Sequence, residues 1–147
     1  MNSTMRKYRD DIIKVVGRGP MSSDEIQKIG VKVLGKKFAG VYPQDDVPKL
    51  KAGFYYIVNT GGKEGPGRHW TAIAVSKAGV PHVYDSFARN TRKLLWQEER
   101  KIIGSGAHPV ESNKTADQRG SSMICGQLSL AWLFLCHTDG FRVADAA

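Results

Sequence analysis

Apolar residues at Met5, Tyr8, Ile12, Val15 and Val16 share one helical face, and this spacing predicts a helix over residues 3–16. Gly17 can end it, and Gly17 to Pro20 reads as a break. Ser22 followed by Glu25 is a capping box, which predicts the start of a second helix. Ile26, Ile29 and Val33 would form its apolar face, and Gly35 would stop it. Residues 36–52 contain Pro43 and Pro48 among many polar positions and read as a loop.

Beyond residue 53 the pattern changes from helical to strand-like. FYYIVN at 54–59, HWTAIAV at 69–75 and PHVYDSF at 81–87 are rich in β-branched and aromatic residues and predict three strands. GGKEGPG at 61–67 separates the first two as a loop, and Lys77-Ala78-Gly79 makes the turn between the second and third. Residues 91–103 read as helical. Residues 104–122 read mostly as loop, with a short strand near His108 to Glu111. The run from Ile124 to Cys136 is apolar on nearly every side, so a helix there must be buried. The expected fold is a single α+β domain over 1–147. It has a small, mainly antiparallel sheet packed on a central buried helix, and residues 1–20 form an N-terminal helical extension.

Composition narrows the setting. Hydrophobic residues are 41% and charged residues 24%, as in ordinary globular chains. No apolar run is long enough to span a bilayer. The start, MNSTMRKYRDD, lacks the apolar core of a signal peptide. Sequons occur at Asn2 and Asn113, with nothing else pointing to secretion. An intracellular, monomeric protein without membrane association is expected. The net charge of +8 raises affinity for polyanions, nucleic acid above all.

The two cysteines, Cys125 and Cys136, lie in the same apolar run. Across a helix they would be about 16 Å apart, too far for a disulfide, so both thiols should be free. Cys125 follows the small polar loop Gly120-Ser121-Ser122 and opens the predicted buried helix. Unpaired backbone N–H groups and the helix dipole there stabilise negative charge on sulfur, the nucleophilic form. Gly126 would let another chain approach the sulfur. Cys136 has the plain explanation of a core residue. His69 ends a glycine-rich loop and opens a strand, where it can serve as a general base. If strands 69–75 and 81–85 pair through the turn at 77–79, opposing residue numbers sum to about 156. Asp85 then lies diagonal to His69, at a distance suited to orienting an imidazole. Gln118, seven residues before Cys125, offers an amide donor for an oxyanion, together with the Cys125 backbone N–H. GGKEGPG is a poor phosphate loop, since no Ser or Thr follows its Gly-Lys and no helix starts there. His82, His108 and His137 lack partners at metal-ligand spacing, so no metal site is expected.

The order His69, Asp85, Gln118, Cys125 resembles that of the adenovirus maturation protease family. NTGGKEGPGRHWTAIAV is similar to that family's segment ending in His-Trp and a small-and-apolar strand. VYDSF is similar to its strand with the acidic member, and DQRGSSMICGQ to its Gln, six residues, then Cys-Gly. SSDEIQKI and FAGVYP are similar to its helical N-terminus and to a Phe-Pro-Gly-Phe stretch. The likeness spans residues 22–137.

The resemblance implies a papain-like cysteine protease of the adenain clan, which also holds the SUMO- and ubiquitin-like-specific proteases. It implies that Cys125 attacks, His69 is its base, Asp85 orients His69, Gln118 helps form the oxyanion hole, and Trp70 packs beside them. The implied work is endopeptidase cleavage of viral structural precursors at Gly-containing sites during virion maturation, in the virion and the host nucleus. Non-specific DNA would be a partner, with Arg89, Arg92, Lys93, Arg100 and Lys101 as contacts. DNA or a viral peptide would be the activator, and no metal or small-molecule cofactor is required. Three departures stand out. Asp85 replaces the adenovirus enzyme's usual Glu, as in SUMO proteases. No cysteine lies near Ala107, where that enzyme links its activating peptide. The segment after Cys125 is shorter than the family's. The alternatives are a deconjugating protease for a ubiquitin-like modifier, or an idle DNA-binding scaffold on the same fold.

Overall fold

The computed structural model of the chain describes residues 1–60, 69–87, 110–111, 116–118 and 123–147. Two helices come first. Helix α1 spans Ser3–Val16, with the Asn2 side chain accepting from the Met5 N–H at 2.8 Å as its N-cap. Gly17, at φ 83°, ends it by donating its N–H to the Ile13 carbonyl. Helix α2 spans Ser23–Leu34 and carries the expected capping box, with Ser22 and Glu25 bonded reciprocally.

The buried stripe of α2 is Ile26, Gly30 and Leu34, whereas Val33 is exposed, contrary to the face expected. Gly30 explains the rotation. A Cβ there would lie 2.6 Å from the Phe38 ring, so the absent side chain lets that ring press on the helix. On α1, Met5 and Ile12 are buried and Tyr8 and Val16 pack against the core, but Val15 faces solvent.

Residues 36–52 are not the continuous loop expected. Phe38–Pro43 forms strand β1, flanked by short 3₁₀ turns at Gly35–Lys37 and Gln44–Asp46. Pro43 is tolerated because β1 is an edge strand, and Gly40, at φ 133°, sits at a register shift. The remaining strands are β2 (Tyr55–Asn59), β3 (Trp70–Val75), β4 (Pro81–Tyr84) and β5 (Val110–Glu111). Strand β4 stops short of the expected 81–87 because the Asp85 side chain accepts the Phe87 N–H at 2.9 Å and turns the chain.

The five strands lie in chain order. β2–β3 and β3–β4 are antiparallel, but β1–β2 and β4–β5 are parallel. The sheet is therefore mixed, which corrects the mainly antiparallel expectation. Both outer strands are reached by connections long enough to return parallel to their neighbours, which a tight hairpin cannot do. The β3–β4 register, with Ala72 opposite Tyr84 and Ile73 opposite Val83, is the one expected. The helix expected over 91–103 lies outside the described residues.

Helix α3, Cys125–Asp139, is buried at every position from Cys125 to Cys136. It packs against β3 and is covered by α1 and α2 on its other side. Tyr55, Ile57, Ala72, Ala74 and Tyr84 face it from the sheet. The alternate residues Tyr56, Val58, Ile73, Val75 and Val83 form a second cluster beneath Phe54, Val47 and Tyr42. Trp132 stacks on Tyr84 with ring centroids 5.5 Å apart and donates its indole N–H to the Ala144 carbonyl. That bond docks a short helix α4, Phe141–Ala146, which His82 also holds through Asp145 at 2.8 Å and through stacking on Phe141. No described helix is long and apolar enough to cross a membrane.

Gly30→Ala tests the α2 contact. Helix propensity alone favours Ala by about 0.8–1 kcal/mol, but overpacking costs about 1–3 kcal/mol. Thermal unfolding should show net destabilisation, and pairing the change with Phe38→Leu should recover part of it. Stabilisation of the single variant would contradict the contact.

Candidate active site

The first residue of α3 is Cys125, so the thiol sits at the N-terminal end of a buried helix. Its Sγ accepts the Trp70 backbone N–H at 3.4 Å, which sets the sulfur against the start of β3. His69 is the residue just before that strand. Its Nε2 is 2.6 Å from Asp85 Oδ1, and both side chains are buried. The carboxylate accepts from Nε2–H, so in the neutral ring Nδ1 is the basic nitrogen. Nδ1 is buried and has no hydrogen bond among the described residues. Cys125 is nonetheless close enough to favour the protonated ring. Thiol and imidazole are thus neighbours without an aligned hydrogen bond.

Burial pulls the His69 pKa down. The hydrogen bond to Asp85, then Cys125 and the charges of both groups, outweigh it, so His69 titrates above its ordinary 6.5. Asp85 also accepts the Phe87 N–H at 2.9 Å, so its carboxylate is fixed before it meets the ring. The Phe87 ring lies 5.0 Å from the imidazole, centroid to centroid, and screens it from water.

Gln118 is buried near the same turn. Ser86 donates its hydroxyl to Gln118 Oε1, and the Ser86 carbonyl accepts the N–H groups of Asp117 and Gln118 at 2.7 and 3.1 Å. The amide is thereby oriented with its nitrogen turned away from Ser86. Tyr84 adds a bond from its hydroxyl to Asp117 at 2.7 Å. The structure therefore brings His69 and Asp85 into direct contact, sets Cys125 beside them, and ties Gln118 to the residue following Asp85. Arg89, Arg92, Lys93, Arg100 and Lys101 lie outside the described residues.

Gly126 has a different reason from the one expected. A Cβ there would lie 3.1 Å from the Met21 Cβ and 3.2 Å from Trp70, so the glycine makes room for the protein's own residues. Sequence reasoning also passed over Met21, Ser86, Gln127 and Ser129. The last two carried a readable signal, because a polar residue inside an all-apolar helix must find a buried partner. Ser129 donates to the Trp70 carbonyl at 3.1 Å. Gln127 donates to the carbonyls of Gly17 and Gly19 at 3.0 and 2.9 Å. Cys136 lies at the far end of α3, where burial pushes its thiol pKa far up. Among the described residues, no group of three His, Cys, Asp or Glu side chains could hold a metal ion.

No protein-family model matches the chain, and comparison with curated proteins finds no match.

The raised His69 pKa carries a pH signature. Its stabilisation is fully present below about pH 6.5, the unfolded value, and is lost as pH rises through the folded value. The gap in melting temperature between the wild type and His69→Gln should therefore narrow on going alkaline. A gap that widens with pH would show that the ring is held neutral.

Proposed function

We propose that the protein is a cysteine endopeptidase. The observation that carries this reading is the 2.6 Å His69–Asp85 contact, buried beside a thiol that opens a helix. This is the arrangement that thiol acyl transfer needs: a nucleophile, a base next to it, and a carboxylate that orients the base.

In the proposed reaction, His69 Nδ1 takes the Cys125 proton. The thiolate attacks the carbonyl carbon of the scissile peptide bond. The resulting oxyanion is met by the Cys125 backbone N–H and the Gln118 amide. Imidazolium at His69, held charged by Asp85, then gives its proton to the leaving amine. Water, deprotonated by the neutral ring, hydrolyses the thioester and frees the thiol. The resemblance to the adenovirus maturation protease family supports a papain-like fold of that clan. It also supports viral precursor proteins cut at Gly-containing sites as the substrates, in the virion or the infected nucleus.

Incubation with Gly-containing fluorogenic peptides tests the reading. Cys125→Ala should abolish cleavage, whereas Cys136→Ser should leave most of it. His69→Ala should lower turnover by about 10²–10⁴-fold, the usual contribution of acid–base catalysis. Asp85→Asn should cost less and move the alkaline limb of the pH–rate profile to lower pH, because the imidazolium loses its partner. Full activity in Cys125→Ala would sink the assignment.

A second property rests on the charge of +8. We infer sequence-independent DNA binding through phosphate contacts, with Arg89, Arg92, Lys93, Arg100 and Lys101 as the candidate residues. Each contact contributes roughly 0.9 to the log–log salt dependence, so a handful gives a slope of about −3 to −6. A flat salt dependence, or no binding at low salt, would assign the charge to solubility alone.

A further inference from the structure

The turn between α1 and α2 reaches the site by a route that acid–base chemistry does not require. Gln127 is fully buried two residues after Cys125, in the first turn of α3. Its Nε2 donates to two carbonyls of that turn, Gly17 at 3.0 Å and Gly19 at 2.9 Å. Two residues on, the Met21 carbonyl accepts the Trp70 indole N–H at 3.0 Å, and the Met21 side chain fills the space left by Gly126. Trp70 in turn donates its backbone N–H to Cys125 Sγ at 3.4 Å, while Ser129 holds its carbonyl. The two ends of this chain of contacts, Gln127 and Cys125, belong to the same helical turn. The loop is closed: helix start, α1–α2 turn, Met21, Trp70, sulfur.

We propose that Gln127 is a positioning residue for the Cys125 thiol, acting through the 17–21 turn and Trp70, so that the N-terminal helices set the geometry of the nucleophile. This rests on the cysteine-peptidase reading above. Core packing alone does not call for glutamine at this position. An apolar residue would fill it, whereas the glutamine leaves its Oε1 buried and unpartnered among the described residues. What the amide provides is a double donor aimed at two carbonyls of one turn. The turn itself is exposed, so its carbonyls could bond to water, and what the amide adds is a fixed direction rather than rescue of buried acceptors. Cooperative networks of this kind fix one arrangement of the groups at their ends, and small misplacements of a reacting group are costly to rate.

The test uses the whole chain and two readouts that need no substrate. Cys125 alkylation by iodoacetamide is followed by peptide mapping, with Cys136 as the internal control. The His69 ring is titrated by NMR. Gln127→Leu keeps the volume and removes both donor bonds. Gln127→Glu keeps the shape and removes both donor bonds, and it decides the matter if Gln127→Leu fails to fold, while Trp70→Phe removes the indole bond to Met21 together with part of the ring's packing on the helix start. In each variant that folds, Cys125 alkylation should slow by about tenfold, because a thiol moved away from His69 loses the neighbour that favours its thiolate. The His69 titration should move to lower pH, since a displaced Cys125 no longer helps hold its proton. Cys136 should stay unreactive. Unchanged Cys125 reactivity and an unchanged His69 titration in the variants would overturn the proposal and leave Gln127 as a packing residue. A different result, wild-type Cys125 reacting no faster than Cys136, would overturn the peptidase reading itself and this proposal with it.

Discussion

Burial of α3 is the constraint on which the rest of the structure depends. A helix with no polar face has no stable place at a surface, so the chain must cover it all round. The sheet covers one side through Tyr55, Ile57, Ala72, Ala74 and Tyr84, and α1 and α2 cover the other with Met5, Ile12, Ile26 and Leu34. Once α3 is fixed in this way, its N-terminal end is fixed against the start of β3. The thiol at that end and the imidazole before that strand are thereby brought together, and polar bonds around the helix start set their alignment. The candidate site lies where the buried helix begins.

The same constraint explains why polar residues in α3 matter so much. Gln127 and Ser129 are embedded where unpaired polar atoms are expensive. Ser129 resolves the problem by bonding to the Trp70 carbonyl, while Gln127 pairs its nitrogen with the α1–α2 turn and leaves Oε1 unpartnered among the described residues. These bonds give direction to a layer that hydrophobic contact alone would leave free to slide. Gly126 serves the same end by letting Met21 and Trp70 close over the helix start. Asp85 likewise has two duties, since it turns the chain after β4 through Phe87 and fixes the His69 ring.

Much of this was legible in the sequence because the signals were local. The capping box at Ser22, the all-apolar run after Ile124 and the strands rich in β-branched and aromatic residues each follow from residue type and local pattern. The β3–β4 register followed from one tight turn, and with it the diagonal placement of Asp85 and His69. What was not legible depended on partners distant in the chain. β1 is a strand because β2 offers it a parallel edge, and its own residues, with Gly40 and Pro43 among them, do not announce it. Val33 lost its place in the core because the Phe38 ring needed Gly30 beneath it. The reason for Gly126 lay in Met21, more than a hundred positions earlier. Ser86 carries no local signal in the sequence, yet its hydroxyl orients Gln118.

The proposed role has Cys125 and His69 acting together as an acylation centre. Its most direct test is covalent capture by a Gly-terminated peptide carrying an electrophile at its C-terminus, read by intact and fragment mass spectrometry. A single adduct is expected, on Cys125, whose formation slows sharply in His69→Ala while Cys136 stays unmodified. An adduct on Cys136, no adduct at all, or capture at Cys125 that is indifferent to His69 would contradict it.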